Sequence, residues 1–183
     1  MGRTAAVAGS RRIVVGVAGS AASAAAVTWA AREAELRGAV LHAVHAWEPA
    51  DRGRAPYAPC PYPGNRDDER AAAALLRTVV QEGLGTAGPS LAGSLPGTTT
   101  DPLLEVAEGL AVQVLLQSAA GADLLVLGSS QPAGDAAGRR AADLGPVARA
   151  CLRAASCPVV TVSPQHIRQP RPRTYRSLAA ALG

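Results

Sequence analysis

A segment rich in glycine and arginine, residues 128–145, offers the groups with which proteins bind anions. It contains Gly134 and Gly138, and the pair Arg139 and Arg140 follows directly. Backbone amides of a glycine-rich loop can surround an anion, and guanidinium groups add charge-assisted hydrogen bonds. The same composition is also typical of a surface turn with two solvated arginines. The sequence leaves both interpretations open, an anion cradle and a plain loop.

The other chemically capable side chains form no recognisable catalytic set. His42 and His45 lie three positions apart in a predicted strand, so they face opposite sides and cannot bind one metal ion together. We interpret His45 as an ordinary sheet residue. Ser20 and Ser23 lie outside any G-x-S-x-G motif. The sequence contains no lysine and no Walker-type loop, which excludes P-loop phosphoryl transfer. We expect no metal site, no catalytic residue and therefore no enzymatic activity.

Hydrophobic patterns place these residues on alternating strands and helices. Strands are predicted at residues 13–17, 40–47, 103–107, 124–127 and 158–162. Four helices lie between them, and the first runs from a cap at Ser20 or Ser23 to Gly38. This alternation requires right-handed crossovers and predicts a Rossmann-like α/β fold, a doubly wound five-stranded parallel sheet with helices on both faces. Its ligand crevice should open beyond the carboxyl ends of the strands.

Two long connections and two termini lie outside this pattern. Residues 49–64 contain five prolines and cannot form regular structure, and the segment from Gly83 to Pro102 is predicted to be a further connection. We predict one domain over residues 11–164. The flanking segments are expected to be disordered, residues 1–10 as a short N-terminus and residues 165–183 as a basic tail.

The charge distribution argues against a nucleic-acid-binding face. All 18 basic residues are arginine, but residues 11–164 hold 13 of them beside all 14 acidic residues, a net charge of −1. The excess positive charge therefore lies at the ends of the chain, where the tail could contact an acidic partner. No targeting segment or membrane-spanning stretch is visible, so we expect a cytoplasmic protein without a membrane partner. The three cysteines have no disulfide or zinc spacing and are interpreted as reduced structural thiols.

Five stretches, in the same order along the chain, resemble the universal stress protein family. They are Ile13–Ser20, Trp29–Ala34, His45–Pro49, Ala122–Ser129 and Cys157–Val162. The resemblance covers roughly residues 11–164. It implies a fold similar to that of the adenine nucleotide α-hydrolases. It also implies a homodimer in which the last strand, Pro158–Val162, pairs across the two-fold axis, and many members of the family bind ATP.

The resemblance also predicts the position of the nucleotide site. In ATP-binding members an Asp ends the first strand, and a loop of pattern G-x2-G-x9-G-[ST] after the fourth strand surrounds the phosphates. The candidate residues of this degenerate ATP site are Gly16, Ala18, Gly128 and Gly145, together with Gly134 of the lengthened loop. Ala18 stands in place of the Asp, which removes a side-chain acceptor for an adenosine hydroxyl or amine.

The phosphate loop departs further from the family pattern. Gly128 fits the first glycine, but the second position is Gln131, followed by Pro132, so a Cβ and a fixed φ lie where backbone approaches phosphate. Gly145 fits the last glycine only if the loop is four residues longer than the pattern. Pro146 then replaces the Ser or Thr, which removes one hydroxyl and one amide donor.

These departures lead to two functional expectations. The first is a non-enzymatic stress-response protein with an eroded ATP pocket, no confidently assigned cofactor, and an output through dimerisation and protein contacts. The alternative is a stress sensor that binds ATP or another nucleotide with the remodelled loop 128–145.

Overall fold

The computed structural model describes residues 11–48, 64–87, 101–129 and 144–164. The strands are β1 (Arg12–Gly16), β2 (Val40–Trp47), β3 (Leu103–Glu108), β4 (Leu124–Gly128) and β5 (Val159–Val162). The helices are α1 (Ala21–Arg37), α2 (Gly64–Ala87), α3 (Ala111–Ser118) and α4 (Pro146–Ala154).

Several predictions fall on residues outside these ranges. They concern the predicted disorder of residues 1–10 and 165–183, almost all of the predicted loop 49–64, and the loop residues Gln131, Pro132, Gly134, Gly138, Arg139 and Arg140.

The five strands pair in parallel in the order β3-β2-β1-β4-β5. The predicted doubly wound α/β fold is therefore confirmed. β1 is the central strand, and the β-branched side chains of Ile13, Val14 and Val15 are fully buried. The chain first adds β2 and β3 on one side of β1 and then returns to add β4 and β5 on the other. This reversal creates a crevice at the carboxyl ends of β1 and β4, where ligands bind in open α/β sheets.

Two layers of small aliphatic side chains cover the two faces of the sheet. One layer joins the sheet to α1 and α2 and includes six alanines or valines of α1. The other joins it to α3 and α4 through Val114, Leu115, Ala148 and Cys151. Each fully buried Val or Leu contributes about 1.5–3 kcal/mol, so the core derives its stability from many small groups rather than from aromatic rings.

Local capping signals define the ends of α1. Ser20 has an extended backbone, and its side chain accepts a hydrogen bond from the amide of Ser23, while Gly38 ends the helix in the left-handed conformation. The boundaries predicted from these residues are confirmed. Among the helices in the described ranges, none combines the length and the apolar composition that crossing a bilayer requires.

The predicted connection after α2 is wrong at its start. The sequence places its beginning at Gly83, but α2 continues to Ala87. Gly83 lies against α1, where a Cβ on it would be 2.6 Å from Cγ1 of Val27. The Thr28 hydroxyl donates a 2.8 Å hydrogen bond to the Gly83 carbonyl. This contact between the two helices stabilises helical structure at a glycine that local propensity alone assigns to a loop.

Candidate functional site

A cavity of about 290 Å³ lies in the crevice between the carboxyl ends of β1 and β4. This volume is close to the lower limit of about 300 Å³ for small-molecule sites. The described residues that line it come from β1, β2, β4 and the first turns of α1, α3 and α4. They are Gly16, Val17, Ala18, Ser20, Ala22, Ser23, Val44, His45, Ala46, Ala111, Leu115, Leu127, Gly128, Gly145, Pro146, Val147 and Ala148.

Glycines allow the elements around the cavity to approach one another closely. A Cβ on Gly16 would lie 2.7 Å from Cδ2 of Leu127. A Cβ on Gly128 would lie 2.6 Å from the carbonyl carbon and oxygen of Ala22 and 2.9 Å from the amide nitrogen of Ser23. Real Cβ atoms do not approach other heavy atoms so closely. Backbone packing therefore accounts for Gly128, whereas the close neighbours of Gly16 are leucine side chains.

Gly145 has no comparable packing role. No described atom lies within 4 Å of a Cβ built on it, and its backbone conformation (φ −55°, ψ 161°) is open to other residues. Gly145 also lines the cavity. The glycine therefore leaves room beside the start of α4 that the described part of the chain does not fill.

The amide of Ala18 is already hydrogen-bonded within the protein. It donates to Oγ of Ser23 at 2.9 Å. Oγ of Ser20 accepts from the Ser23 amide at 3.2 Å and lies 3.2 Å from Oγ of Ser23. The two hydroxyl groups therefore form hydrogen bonds with backbone amides of the turn between β1 and α1 and with each other. Ala18 itself presents only a methyl group to the cavity.

The first turn of α4 carries fewer amide donors than an ordinary helix start. Pro146 occupies the first helical position, Gly145 is the N-cap, and no side chain of the described residues caps the helix. The first hydrogen bond within α4 runs from the Arg149 amide to the Gly145 carbonyl. The amides of Val147 and Ala148 thus have no carbonyl partner within the helix, and both residues line the cavity. They are two of the donors that this terminus can offer to an anion.

The electrostatic environment of the cavity favours a negatively charged ligand. The N-termini of α1 and α4 both border it, and each carries a partial positive charge from the helix dipole. None of the described lining residues has a carboxylate. The arrangement can bind one anionic group, and its remaining surface is apolar.

His45 forms the wall of the cavity at the end of β2. Its Nδ1 lies 2.8 Å from the carbonyl oxygen of Val17, the residue before Ala18. The Val17 amide in turn donates to the Val44 carbonyl at 2.9 Å, so the ends of β1 and β2 are joined at two points. The sequence predicts that His45 is an ordinary sheet residue, whereas the structure places it at the cavity. Its position at the carboxyl end of a strand was the signal that could have identified it.

The structure brings together four of the five residues predicted for the site. Gly16, Ala18, Gly128 and Gly145 all line the cavity. Gly134 lies outside the described residues. His45 and the amides of Val147 and Ala148 are site groups that the sequence does not predict, because their positions depend on where strand and helix ends meet.

His42 belongs to a separate cluster of side chains and does not line the cavity. Its side chain is 2% exposed, and Nε2 lies 2.7 Å from Oε2 of Glu105. The contact does not have the geometry of an aligned hydrogen bond, and Nδ1 has no partner among the described residues. The Ser118 hydroxyl lies 3.4 Å from the same Glu105 oxygen. Burial lowers the pKa of His42, Glu105 opposes this change, and Arg12 adds to it.

The lowered pKa of His42 predicts a loss of stability in mild acid. The unfolded chain takes up the proton near the ordinary histidine pKa of about 6.5, whereas the folded chain resists it. The stability conferred by neutral His42 is therefore present above pH 6.5 and declines as the pH falls below it. Urea unfolding at pH 7.5, 6.5 and 5.5 measures this decline. His42→Leu should show a smaller decline, and an equal decline in both proteins would contradict the assignment.

Burial makes the described thiols weaker nucleophiles than a free cysteine. Cys151 is fully buried, Cys157 is half-buried, and neither forms a disulfide. Burial raises the pKa of both thiols, and the reactive species is the thiolate. In the described parts of the chain, no group of three or more His, Cys, Asp or Glu side chains is placed to bind a metal ion.

Comparison with known proteins identifies the class to which this fold and crevice belong. The universal stress protein family model matches residues 9–163, and the chain therefore belongs to the universal stress protein family. The sequence-based recognition of the family is confirmed. A search of curated proteins gave no significant match.

Solved structures of the family have the same fold. A universal stress protein in complex with cAMP is 26% identical, with a TM-score of 0.55, and the match covers 85% of this chain and 98% of that one. The universal stress protein UspA from Lactobacillus plantarum is 23% identical, with a TM-score of 0.57 and coverages of 83% and 97%. A family member from Burkholderia pseudomallei is 20% identical, with a TM-score of 0.53 and coverages of 82% and 94%. The expected similarity to the adenine nucleotide α-hydrolase fold is confirmed.

Proposed function

We propose that this universal stress protein is a non-enzymatic stress-response protein whose crevice has lost its contacts to a triphosphate and accepts an adenine nucleotide with a single phosphate. The observation that carries the proposal is the start of α4. Pro146 at its first position leaves the amides of Val147 and Ala148 as donors and supplies no hydroxyl.

The number of donors argues for one phosphate rather than three. Hydrogen bonds to charged groups contribute about 1.5–3 kcal/mol each. Two amides can hold the oxygens of one phosphate, but a triphosphate carries further charges that need partners. Among the described lining residues no arginine is present, and Ala18 supplies no acceptor for the nucleoside. Each missing contact lowers the affinity about tenfold or more.

A relative supports a ligand with a single phosphate. The family member that is 26% identical to this chain was solved in complex with cAMP. A cyclic monophosphate carries one negative charge, which suits a terminus with two free amides. The apolar remainder of the cavity, from Val44, Leu115 and Leu127, suits a purine ring.

Isothermal titration of the purified protein with AMP, cAMP and ATP tests the proposal. We expect AMP or cAMP to bind and ATP to bind at least tenfold more weakly. ATP as the tightest ligand, or ATP carried through purification, would contradict the proposal. That result would favour the alternative sensor, in which Gly134, Gly138, Arg139 and Arg140 bind the phosphates. Arg139→Ala combined with Arg140→Ala would then abolish ATP binding.

The absence of enzymatic activity is part of the same proposal. The polar side chains among the described lining residues are Ser20, Ser23 and His45, and the two serines are hydrogen-bonded to each other. No carboxylate is available there to orient the histidine as a general base. Incubation of the protein with ATP and AMP, followed by chromatography, should return both nucleotides unchanged. Turnover that is lost in His45→Phe would contradict the proposal.

We also propose that the protein acts as a homodimer through β5. β5 is an edge strand, and Val159, Val160 and Thr161 are half-buried in the single chain. The carbonyls of Pro158 and Val162 face β4, and peptide groups alternate along a strand. The peptide groups of Val159 and Thr161 therefore face outward and leave an edge that a second copy can pair with.

Replacement of Thr161 by proline is expected to convert the dimer to a monomer. Proline removes the outward amide without disturbing the pairing of β5 with β4, since prolines are tolerated at such edge positions. Light scattering at micromolar concentration measures the change. Thr161→Val is the matched control and should remain a dimer. A monomeric wild type, or a dimeric Thr161→Pro protein, would refute the assignment of the interface.

A further inference from the structure

We propose that His45 is a specificity-determining residue of the crevice, and that its Nε2 accepts a hydrogen bond from the nucleoside part of the ligand. The hydrogen-bond donor on the ligand is a ribose hydroxyl or the exocyclic amine of the purine. The inference rests on the proposed nucleotide-binding function and assigns to His45 the acceptor role that Ala18 cannot fill.

The hydrogen bond to Val17 fixes the tautomer of His45. A carbonyl oxygen can only accept, so the ring nitrogen 2.8 Å from the Val17 carbonyl carries the hydrogen. In the neutral imidazole the other nitrogen, Nε2, then has a free lone pair. His45 lines the cavity, and because Nδ1 is bonded to Val17, Nε2 is the ring atom that can accept. The structure thus presents an oriented acceptor on a side chain that lines the site.

The position of this acceptor matches the place where one is missing. Val17 holds the imidazole, and Ala18, the position of the lost acceptor, is the next residue along the chain. The hydroxyl groups of Ser20 and Ser23, on the other side of the turn, already form hydrogen bonds within the protein. Ser23 already accepts from the Ala18 amide, and Ser20 accepts from the Ser23 amide. His45 is therefore the lining side chain, among the described residues, whose acceptor atom is not part of the hydrogen bonds of the β1–α1 turn.

The test compares His45 variants with ligands that lack one donor each. His45→Phe keeps a planar ring without a nitrogen, and His45→Gln keeps an acceptor. The ligands are AMP, 2′-deoxy-AMP, 3′-deoxy-AMP and the monophosphate of purine riboside, which has no exocyclic amine. We expect His45→Phe to lower the affinity for AMP about tenfold and His45→Gln to lower it less. The ligand without the relevant donor should bind wild type about tenfold more weakly than AMP and should not respond to His45→Phe.

A spectroscopic measurement keeps the inference testable if the variants fold poorly. In wild-type protein labelled with ¹⁵N at histidine, AMP should shift the Nε2 resonance of His45 in the direction of an accepted hydrogen bond and leave Nδ1 nearly unchanged. Equal losses of affinity for all four ligands, or an unchanged Nε2 resonance at saturation, would overturn the role of His45 but not the nucleotide site. Failure of the wild-type protein to bind any of the four would overturn both.

Discussion

Replacement of Pro146 by serine is expected to raise the affinity of the crevice for ATP by about ten- to a hundredfold. The change adds one amide and one hydroxyl donor to the first turn of α4, beside the amides of Val147 and Ala148. Hydrogen bonds to charged groups contribute about 1.5–3 kcal/mol, and 1.4 kcal/mol corresponds to a factor of ten. Isothermal titration with ATP measures the gain.

Pro146→Ala is the matched control because it restores the amide without the hydroxyl. An intermediate affinity for this variant would separate the two contributions. The stability of both variants should fall by no more than about 1 kcal/mol, since proline at the first helical position mainly restricts the unfolded chain. Unchanged ATP affinity in two well-folded variants would contradict the assignment of the α4 terminus as the phosphate site.

Pro146 illustrates a conflict between two uses of one residue. Proline is well suited to the first position of a helix because its φ is fixed there and its missing amide has no intrahelical partner. The same amide is the donor that a phosphate needs at a helix N-terminus. The start of α4 therefore favours helix formation and weakens phosphate binding. This separation underlies the proposal that the fold of the family is kept while the triphosphate is not.

Most of the fold and part of the site were predictable because they depend on local pattern and on topology. Alternating strands and helices require parallel strands, and the carboxyl ends of parallel strands meet at one edge. Gly16 and Ala18 follow β1, Gly128 ends β4, and Gly145 precedes α4, so their convergence at the crevice follows from the order of the elements. Predicting this convergence requires no knowledge of contacts between distant residues.

The remaining features depend on contacts between distant residues. The hydrogen bond between His45 and Val17 joins the ends of two strands through residues that are 28 positions apart. It fixes a tautomer that no local pattern encodes. The extension of α2 beyond Gly83 depends on Thr28, 55 positions away. Local propensity favours a loop there, and the packing of two helices overrides it.

Replacement of Gly128 by alanine is expected to destabilise the protein by at least about 2 kcal/mol. The new Cβ would lie 2.6 Å from the carbonyl group of Ala22 and 2.9 Å from the Ser23 amide. These are backbone atoms at the start of α1, so relief requires a shift of the helix rather than a rotation of a side chain. Overpacking of this kind costs about 1–3 kcal/mol, and immobile neighbours place it in the upper part of that range. Urea unfolding at pH 7.5 measures the change.

Gly145→Ala is the same substitution in the same crevice with a different expected result. No described atom lies within 4 Å of the added methyl group, and the backbone conformation suits alanine. Loss of a favourable N-cap residue and reduced freedom of the unfolded chain have opposite effects of up to about 1 kcal/mol each. The stability should therefore remain within about 1 kcal/mol of wild type. Equal destabilisation by both substitutions would mean that the close approach of β4 to α1 does not explain Gly128.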